Sequence, residues 1–331
     1  MSAEKYNHIR PEMTTENILI IKDGRHPLEE LLMGTFIQND TYLGCSKSST
    51  HSVQSSYWST EKQAVHDNGI NENYVLLLSA PNQSGKSVYL KQVALIVYLA
   101  HIGSFVPASN ARIGLTDMIV TRMQTLETAS KAKSAFQIDL QEILFSLQYA
   151  TSRSLILLDE FGKGTGSCDG AALLCAVLEY FINKQDGCPK IIAATHFHEL
   201  IESELLTPSV PISYCTMDMI CEEKFLDHCR NADEIENWAP TFLYRVIPGR
   251  RHNGRSLAIW CAKNALVPQR TLTRAAEILS VFLKQGFLPQ EMTAFKKREI
   301  KYCENTVRTL VTTNTRDTSA EVLRQFIQSL N

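Results

Sequence analysis

Between residues 80 and 87 the chain reads Ala80-Pro81-Asn82-Gln83-Ser84-Gly85-Lys86-Ser87. The run stands directly after the apolar stretch Tyr74-Val75-Leu76-Leu77-Leu78 and opens a segment of helical character. Successive backbone N–H groups and a helix N-terminus then face one point, which makes an anion cradle suited to a phosphate chain. Lys86 would reach the β- and γ-phosphates, and the Ser87 hydroxyl would complete a Mg²⁺ shell. Ala80 stands where such loops usually begin with glycine, a mild departure because alanine does not adopt positive φ cheaply.

A second station is Leu155-Ile156-Leu157-Leu158-Asp159-Glu160. Its four apolar residues bury a strand and deliver two carboxylates at the C-terminal edge, where open α/β sheets place their ligands. Asp159 would orient Mg²⁺ and its waters, and Glu160 would polarise the water that attacks the γ-phosphate. A third station follows the next apolar run, Ile191-Ile192-Ala193-Ala194, as Thr195-His196. Beside the first two, His196 reads as a sensor of the γ-phosphate; alone it would read as a hydrogen-bonded core histidine. The cluster His196-x-His198-Glu199 lacks the spacing of a zinc site and is set aside.

The elements that must position these groups follow from hydrophobic pattern. Strands are expected at 74–78, 154–158 and 190–194, helices at 86–100, 134–150 and 170–183, and strand-and-turn material at 113–123. In the helix at 134–150, Phe136, Leu140, Ile143, Leu144 and Leu147 fall at helical spacing and predict one buried face. Alternation of this kind predicts an α/β fold with a parallel-rich sheet flanked by helices. Nine of the fifteen residues from Ser46 to Thr60 are Ser or Thr, so 44–73 reads as an exposed, disordered loop. Residues 207–240 show no convincing pattern, 241–247 suit an edge strand, and 256–331 look helical.

Composition closes off other classes. The chain has 331 residues, 44% of them apolar, with 33 Lys+Arg against 35 Asp+Glu. A net charge of −2 argues against gripping nucleic acid through overall charge. The asymmetry is local: ten acidic and two basic residues lie between 199 and 237, twelve basic and four acidic between 250 and 308. The basic stretch could add weak, salt-sensitive DNA affinity, but a solvated helical face is the plainer reading. Nine cysteines form no CxxC pair, and the longest apolar run, Val93 to Ala100, is too short to span a bilayer. A reduced, membrane-free compartment is expected.

The three stations describe a P-loop NTPase of the ABC-like type. The segments APNQSGKSVYLKQ, HIGSFVPASNARIGLTDMIVTRM, SLILLDEFGKGTGSCDG and AATHFHEL stand in the order and spacing of the MutS family ATPase domain, which the chain resembles. GRHPL at 24–28 and FIQND at 36–40 are similar to that family's first strands. The resemblance implies ATP and Mg²⁺ as ligands, and several roles. Phe36 looks like the aromatic that stacks on adenine, and Asn82 like the loop asparagine that contacts phosphate or positions water. Ser134 resembles the signature serine that meets ATP held by the other subunit; with Gln137 it also forms a capping box. Gly164 and Thr165, within Gly162–Ser167, resemble the loop that crosses between nucleotide sites. Ala135, Gly166 and Lys163 stand where the family has Thr, Ser and Arg. Residues 255–275 look like the C-terminal helix-turn-helix of dimerisation. The division implied is an ATPase domain at 1–240 and a helical dimerisation region at 241–331.

Phe161, Lys163 and Ser84 look like the family's fifth eukaryotic homologue, which implies meiotic recombination and crossover formation, a heterodimer with the fourth homologue, and a nuclear, chromosomal location. A mismatch-repair homologue is the alternative within the family. The mismatch, lever and clamp parts that precede this domain in the family have no counterpart here, so a fragment, a truncated gene prediction or a shortened protein is expected. Double-stranded or branched DNA would be bound through those parts. Two other classes stay open: a nucleotide-binding interaction module with little hydrolysis, and a small-molecule kinase.

Overall fold

A computed structural model describes residues 2–44, 73–123, 135–163, 165–197, 200, 212–220, 240–249 and 257–285. Ten strands are described: β1 (Glu12–Thr14), β2 (Leu19–Gly24), β3 (Asn39–Leu43), β4 (Val75–Ser79), β5 (Asn110–Gly114), β6 (Ile119–Arg122), β7 (Leu155–Asp159), β8 (Lys190–Thr195), β9 (Ile212–Ile220) and β10 (Thr241–Pro248). The helices are α1 (Ser2–Lys5), α2 (Glu29–Leu32), α3 (Lys86–His101), α4 (Ala135–Tyr149), α5 (Ser167–Ile182), α6 (Ala258–Asn264) and α7 (Gln269–Gln285).

The main sheet has the order β10-β9-β4-β8-β7-β6, parallel throughout except for the antiparallel edge pair β10–β9. All residues of β4, β7 and β8 are buried, because helices and a second sheet cover both faces. Alternate residues feed opposite cores. Leu76, Leu78, Leu155 and Leu157 pack with α3, while Val75, Leu77, Ile156 and Leu158 pack with α5 and Ile143 of α4.

The second sheet, ordered β1-β5-β2-β3, was not anticipated as a separate layer. Its Leu19, Ile21, Leu43 and Ile113 share a core with Tyr89, Val93 and Ile96 of α3. Helix α3 is therefore a middle layer, which explains why it is apolar on more than one side.

Two expectations are corrected. Strand β9 runs through the segment 207–240 that shows no clear pattern; its alternation is blurred because Cys215, Thr216 and Met217 are buried consecutively. The face predicted for α4 is right only in part: Ile143 is buried and Leu147 packs against the same core, but two of its leucines point outward. Leu140 and Leu144 are 39% and 51% exposed, while Asp139 and Ser146 are buried beside Ile143. Helical periodicity is correct there, but the stripe turned inward mixes Asp139 and Ser146 with Ile143 and Leu147. Of the region expected to be helical from 256, α6 and α7 are described, packed through Ile259, Leu272 and Ala276. The span 44–73 lies outside the described residues apart from its ends, which join through a Gly44 N–H donated to the Asn73 carbonyl at 2.8 Å. The described cysteines 168, 175, 188, 215 and 261 are free thiols, and no described helix is long and apolar enough to cross a membrane.

Candidate functional site

Strand register brings the three stations together. Ser79 pairs with Thr195, and Asp159 pairs with Ala194. The loop after β4, the acids ending β7 and His196 after β8 therefore emerge from neighbouring strand ends in line with one another. A cavity of ≈ 670 Å³ opens there, lined among others by Asn82, Gln83, Gly85, Lys86, Ser87, Asp159 and Glu160.

The loop gets its shape from two left-handed residues, Gln83 at φ 67° and Gly85 at φ 102°. Gly85 is needed for space as well: a Cβ there would lie 3.3 Å from both Met217 Cε and Tyr244 Cδ1. Ala80 has no positive φ, so its methyl group costs the loop nothing, and it is buried behind the cavity wall. Ser84 is buried too and donates to the Pro81 carbonyl at 2.7 Å. Ala80, Pro81 and Ser84 thus support the loop from behind, whereas Asn82, Gln83, Gly85, Lys86 and Ser87 face the cavity.

Lys86 is 5% exposed; its Nζ donates to the Ala80 and Pro81 carbonyls at 2.6 and 3.0 Å and lies 3.7 Å from Glu160 Oε1. Burial pulls its pKa below the ordinary lysine value, and the charges of Glu160 and Asp159 only partly offset this. A buried ammonium held by two neutral carbonyls and one acid is poised to accept further negative charge.

Ser87 Oγ donates to Asp159 Oδ2 at 2.5 Å, while Asp159 Oδ1 is buried without a hydrogen-bond partner. A hydroxyl and a carboxylate with an unmet oxygen fit a small hard cation, which takes few protein ligands and keeps water or phosphate oxygens for the rest. Ser87 and Asp159 would hold Mg²⁺ there.

Glu160 occupies the left-handed region at φ 53°, a strained place for a side chain of its length. Its N–H donates to the Ala194 carbonyl at 2.9 Å, and its Oε2 receives Lys163 Nζ at 2.6 Å. Burial raises the carboxyl pKa, but the Lys163 hydrogen bond and the charges of Lys86, Lys163 and His196 outweigh it, so the net shift is downward. His196 is half-buried, with its ring 4.5 Å from that of Phe197. It does not line the cavity, yet its charge is felt at Glu160.

Phe36 also lines the cavity, with Met33, Thr35 and Ile37. Sequence reasoning missed two further lining residues, Tyr244 and Met217, which come from β10 and β9 and stand close to Gly85. Tyr244 sits at φ 54°, inside a register shift of β10 between Phe242 and Val246. Asn39 fixes that bulge, donating to the Tyr244 carbonyl at 3.0 Å and accepting the Val246 N–H at 2.7 Å. No local sequence signal marks this contact across more than 200 residues. Arg122, at the end of β6, also lines the cavity and was missed. Thr165 lies beyond it, its N–H donated to the Gly162 carbonyl at 3.3 Å. Ser134 and Gly164 lie outside the described residues, as do His198 and Glu199.

Comparison with known proteins agrees with this architecture. The profile of MutS domain V matches residues 76–283. MutS protein homolog 5 of Saccharomyces cerevisiae is 36% identical over 306 residues, covering 91% of this chain and 32% of that protein. DNA mismatch repair protein MutS of Carboxydothermus hydrogenoformans is 35% identical over 305 residues, 90% of this chain and 31% of its own. The same-named protein of Methanosarcina barkeri is 33% identical over 304 residues, 90% of this chain and 29% of its own. The chain spans about a third of the length of these relatives.

Proposed function

Because the chain belongs to the MutS family, whose domain V it carries, we propose that it binds and hydrolyses ATP in the crevice at the ends of β4, β7 and β8. The observation that supports this most is the convergence of Lys86, Ser87, Asp159 and Glu160 on one cavity from strand ends held in register. The phosphates lie along the loop amides of 82–87, with Asn82 at the γ end and Lys86 turning from its carbonyls to the β- and γ-oxygens. Adenine lies between Phe36 and Tyr244. Mg²⁺ held by Ser87 and Asp159 supplies charge neutralisation to the phosphate oxygens. Glu160 takes a proton from water as the water oxygen bonds to the γ-phosphorus, the bond to the bridging oxygen breaks, and ADP leaves with the electron pair. His196 senses the γ-phosphate from the end of β8.

By its likeness to the yeast homolog 5 protein, the chain acts as one half of a heterodimer with the fourth eukaryotic homologue, in the nucleus, on branched or double-stranded DNA during meiotic crossover formation. Strand β10, which carries Tyr244 at the cavity, belongs with the ATPase sheet, so the dimerising region starts after it rather than at 241, and the residues before that region form the ATPase domain. Ser134 completes the partner's ATP site, and Gly164 and Thr165 carry the signal across. A second reading, nucleotide binding with little hydrolysis, draws on the 2.6 Å contact of Lys163 with Glu160, which engages the base before water does.

Glu160→Gln and Lys86→Met separate the two steps. Glu160→Gln should keep MgATP affinity and lose turnover, whereas Lys86→Met should lose about 10- to 100-fold in affinity, the worth of one charged hydrogen bond. Fluorescent-nucleotide titration and phosphate release measure both. Unchanged hydrolysis by Glu160→Gln refutes the assigned base. Turnover by the wild-type chain, with or without a partner, refutes the second reading.

A further inference from the structure

Arg122, the last residue of β6, is 6% exposed, and its guanidinium reaches in two directions. One arm donates to the backbone carbonyl of Asp159, which belongs to the peptide that leads into Glu160. The other donates to Oδ2 of Asp139 on α4, itself 1% exposed. Arg122 Nε and Asp139 Oδ1 remain buried without hydrogen-bond partners. A guanidinium beside a carboxylate ordinarily closes a two-bonded fork. Here one arm is diverted to main chain, and one donor and one acceptor go unmet. A second arrangement would satisfy those atoms: Arg122 gripping both oxygens of Asp139 and letting go of the Asp159 carbonyl.

The helix on the other end of this bridge is lightly anchored. On α4, Leu140, Leu144, Phe145 and Tyr149 are exposed; among its described residues Ile143 is the one fully buried apolar side chain, with Leu147 partly buried against the same core. Such a helix moves at low cost. Its inward stripe sets Asp139 and Ser146 among Ile143 and Leu147, so its seating draws on Asp139 meeting its cation as well as on apolar packing.

We propose that Arg122 is a positioning residue that couples the nucleotide crevice to α4. In the bridging arrangement it ties the 159–160 peptide, and with it the aim of Glu160, to the helix that begins one residue after Ser134. In the forked arrangement it frees that peptide. Ligand charge at Asp159 favours one arrangement, and the choice is transmitted to α4 as a shift in its seating. The inference rests on the ATPase reading.

Hydrogen exchange by mass spectrometry, on the full chain with and without a slowly hydrolysed MgATP analogue, tests it. In the wild type, nucleotide should slow exchange in both α3 and α4. In Arg122→Met and Asp139→Asn, α3 should still respond while the α4 response falls by more than half. Arg122→Lys, which can reach one partner at a time, should fall between. Nucleotide affinity should stay within about threefold and single-turnover hydrolysis drop at least about tenfold in Asp139→Asn, a split that a merely structural residue would not produce. If Arg122→Met does not fold, Asp139→Asn carries the test. An α4 response equal to wild type in the variants, or absent from wild type while α3 responds, overturns the proposal. Failure of the ATPase reading has a different signature: α3 indifferent to nucleotide, or Glu160→Gln turning over normally.

Discussion

Glu160 has two cations within reach, and they do different work. Lys86 lies at 3.7 Å and is almost fully buried, whereas Lys163 lies at 2.6 Å and is half-exposed, three residues along the same turn. Burial alone would raise the Glu160 pKa, yet the net shift is downward because Lys163 and Lys86 hold the charged form. A base acts only when deprotonated, so protonation of Glu160 itself should not limit wild-type turnover until the pH falls below the ordinary glutamate range. Replacing Lys163 with Met removes the leading stabiliser and leaves the burial. The Glu160 pKa then rises, and the acid limb of the kcat profile should move to higher pH. A kcat–pH profile of Lys163→Met that superimposes on wild type would show that Lys163 does not govern the base. The type and order of Lys86, Ser87, Asp159 and Glu160 were legible in the sequence because backbone amides at a helix start, and acids at a buried strand end, are local patterns. The Lys163 contact was not, since it depends on Glu160 adopting positive φ.

At the scale of elements, what the sequence conveyed was period, and what it withheld was which neighbour each period faces. Strands β4, β7 and β8 were legible because each is a short unbroken apolar run beside turn or acidic residues, the length and setting of a fully covered strand. Helix α4 was legible as a helix, but its inward face was misread in part, because burial of Asp139 is secured by Arg122 from a different strand. Strand β9 was missed because three consecutive buried residues blur its alternation, and Tyr244 could not be assigned to the cavity without the bulge that Asn39 holds. The contact of the Asp159–Glu160 turn with α5 is another long-range feature. Gly162, at φ 88°, lies against Gly170, and a Cβ on Gly170 would stand 2.6 Å from both the Gly162 carbonyl oxygen and Phe197 Cζ. Backbone and a packed ring both resist displacement, so Gly170→Ala should destabilise by about 1–3 kcal/mol, the usual cost of overfilling a tight contact. Denaturant melts of Gly170→Ala measure the loss. A midpoint equal to wild type would mean that α5 and the turn separate freely.

On the scale of the whole molecule, the two sheets are fastened at the end opposite the crevice. Lys190, 1% exposed at the start of β8, donates to Asn17 Oδ1, and Asn17 Nδ2 donates to the Ser152 carbonyl at 2.7 Å, tying the turn before β2 to the turn before β7. Burial drives the Lys190 pKa down to about 8 from 10.5, against the pull of Asp117. A cation whose folded pKa lies below its unfolded value binds fewer protons when folded. Between pH 8 and 10.5 the unfolded chain therefore takes up the extra proton, and this group makes unfolding harder as pH rises, by at most about 1.4 kcal/mol per pH unit. The buried thiols of Cys188 and Cys215 act in the other direction, being pushed up to about 12 from 9. Since both proteins carry those thiols, the informative quantity is the stability difference between wild type and Lys190→Met across pH 7 to 10. Lys190→Met removes the cost of burying a charge at neutral pH but leaves the Asn17 oxygen without its donor. Its advantage over wild type should be greatest near pH 7 and shrink steadily toward pH 10. A difference that stays flat over that range would mean that Lys190 keeps its ordinary proton affinity when folded, and that the fastening is not a desolvated one.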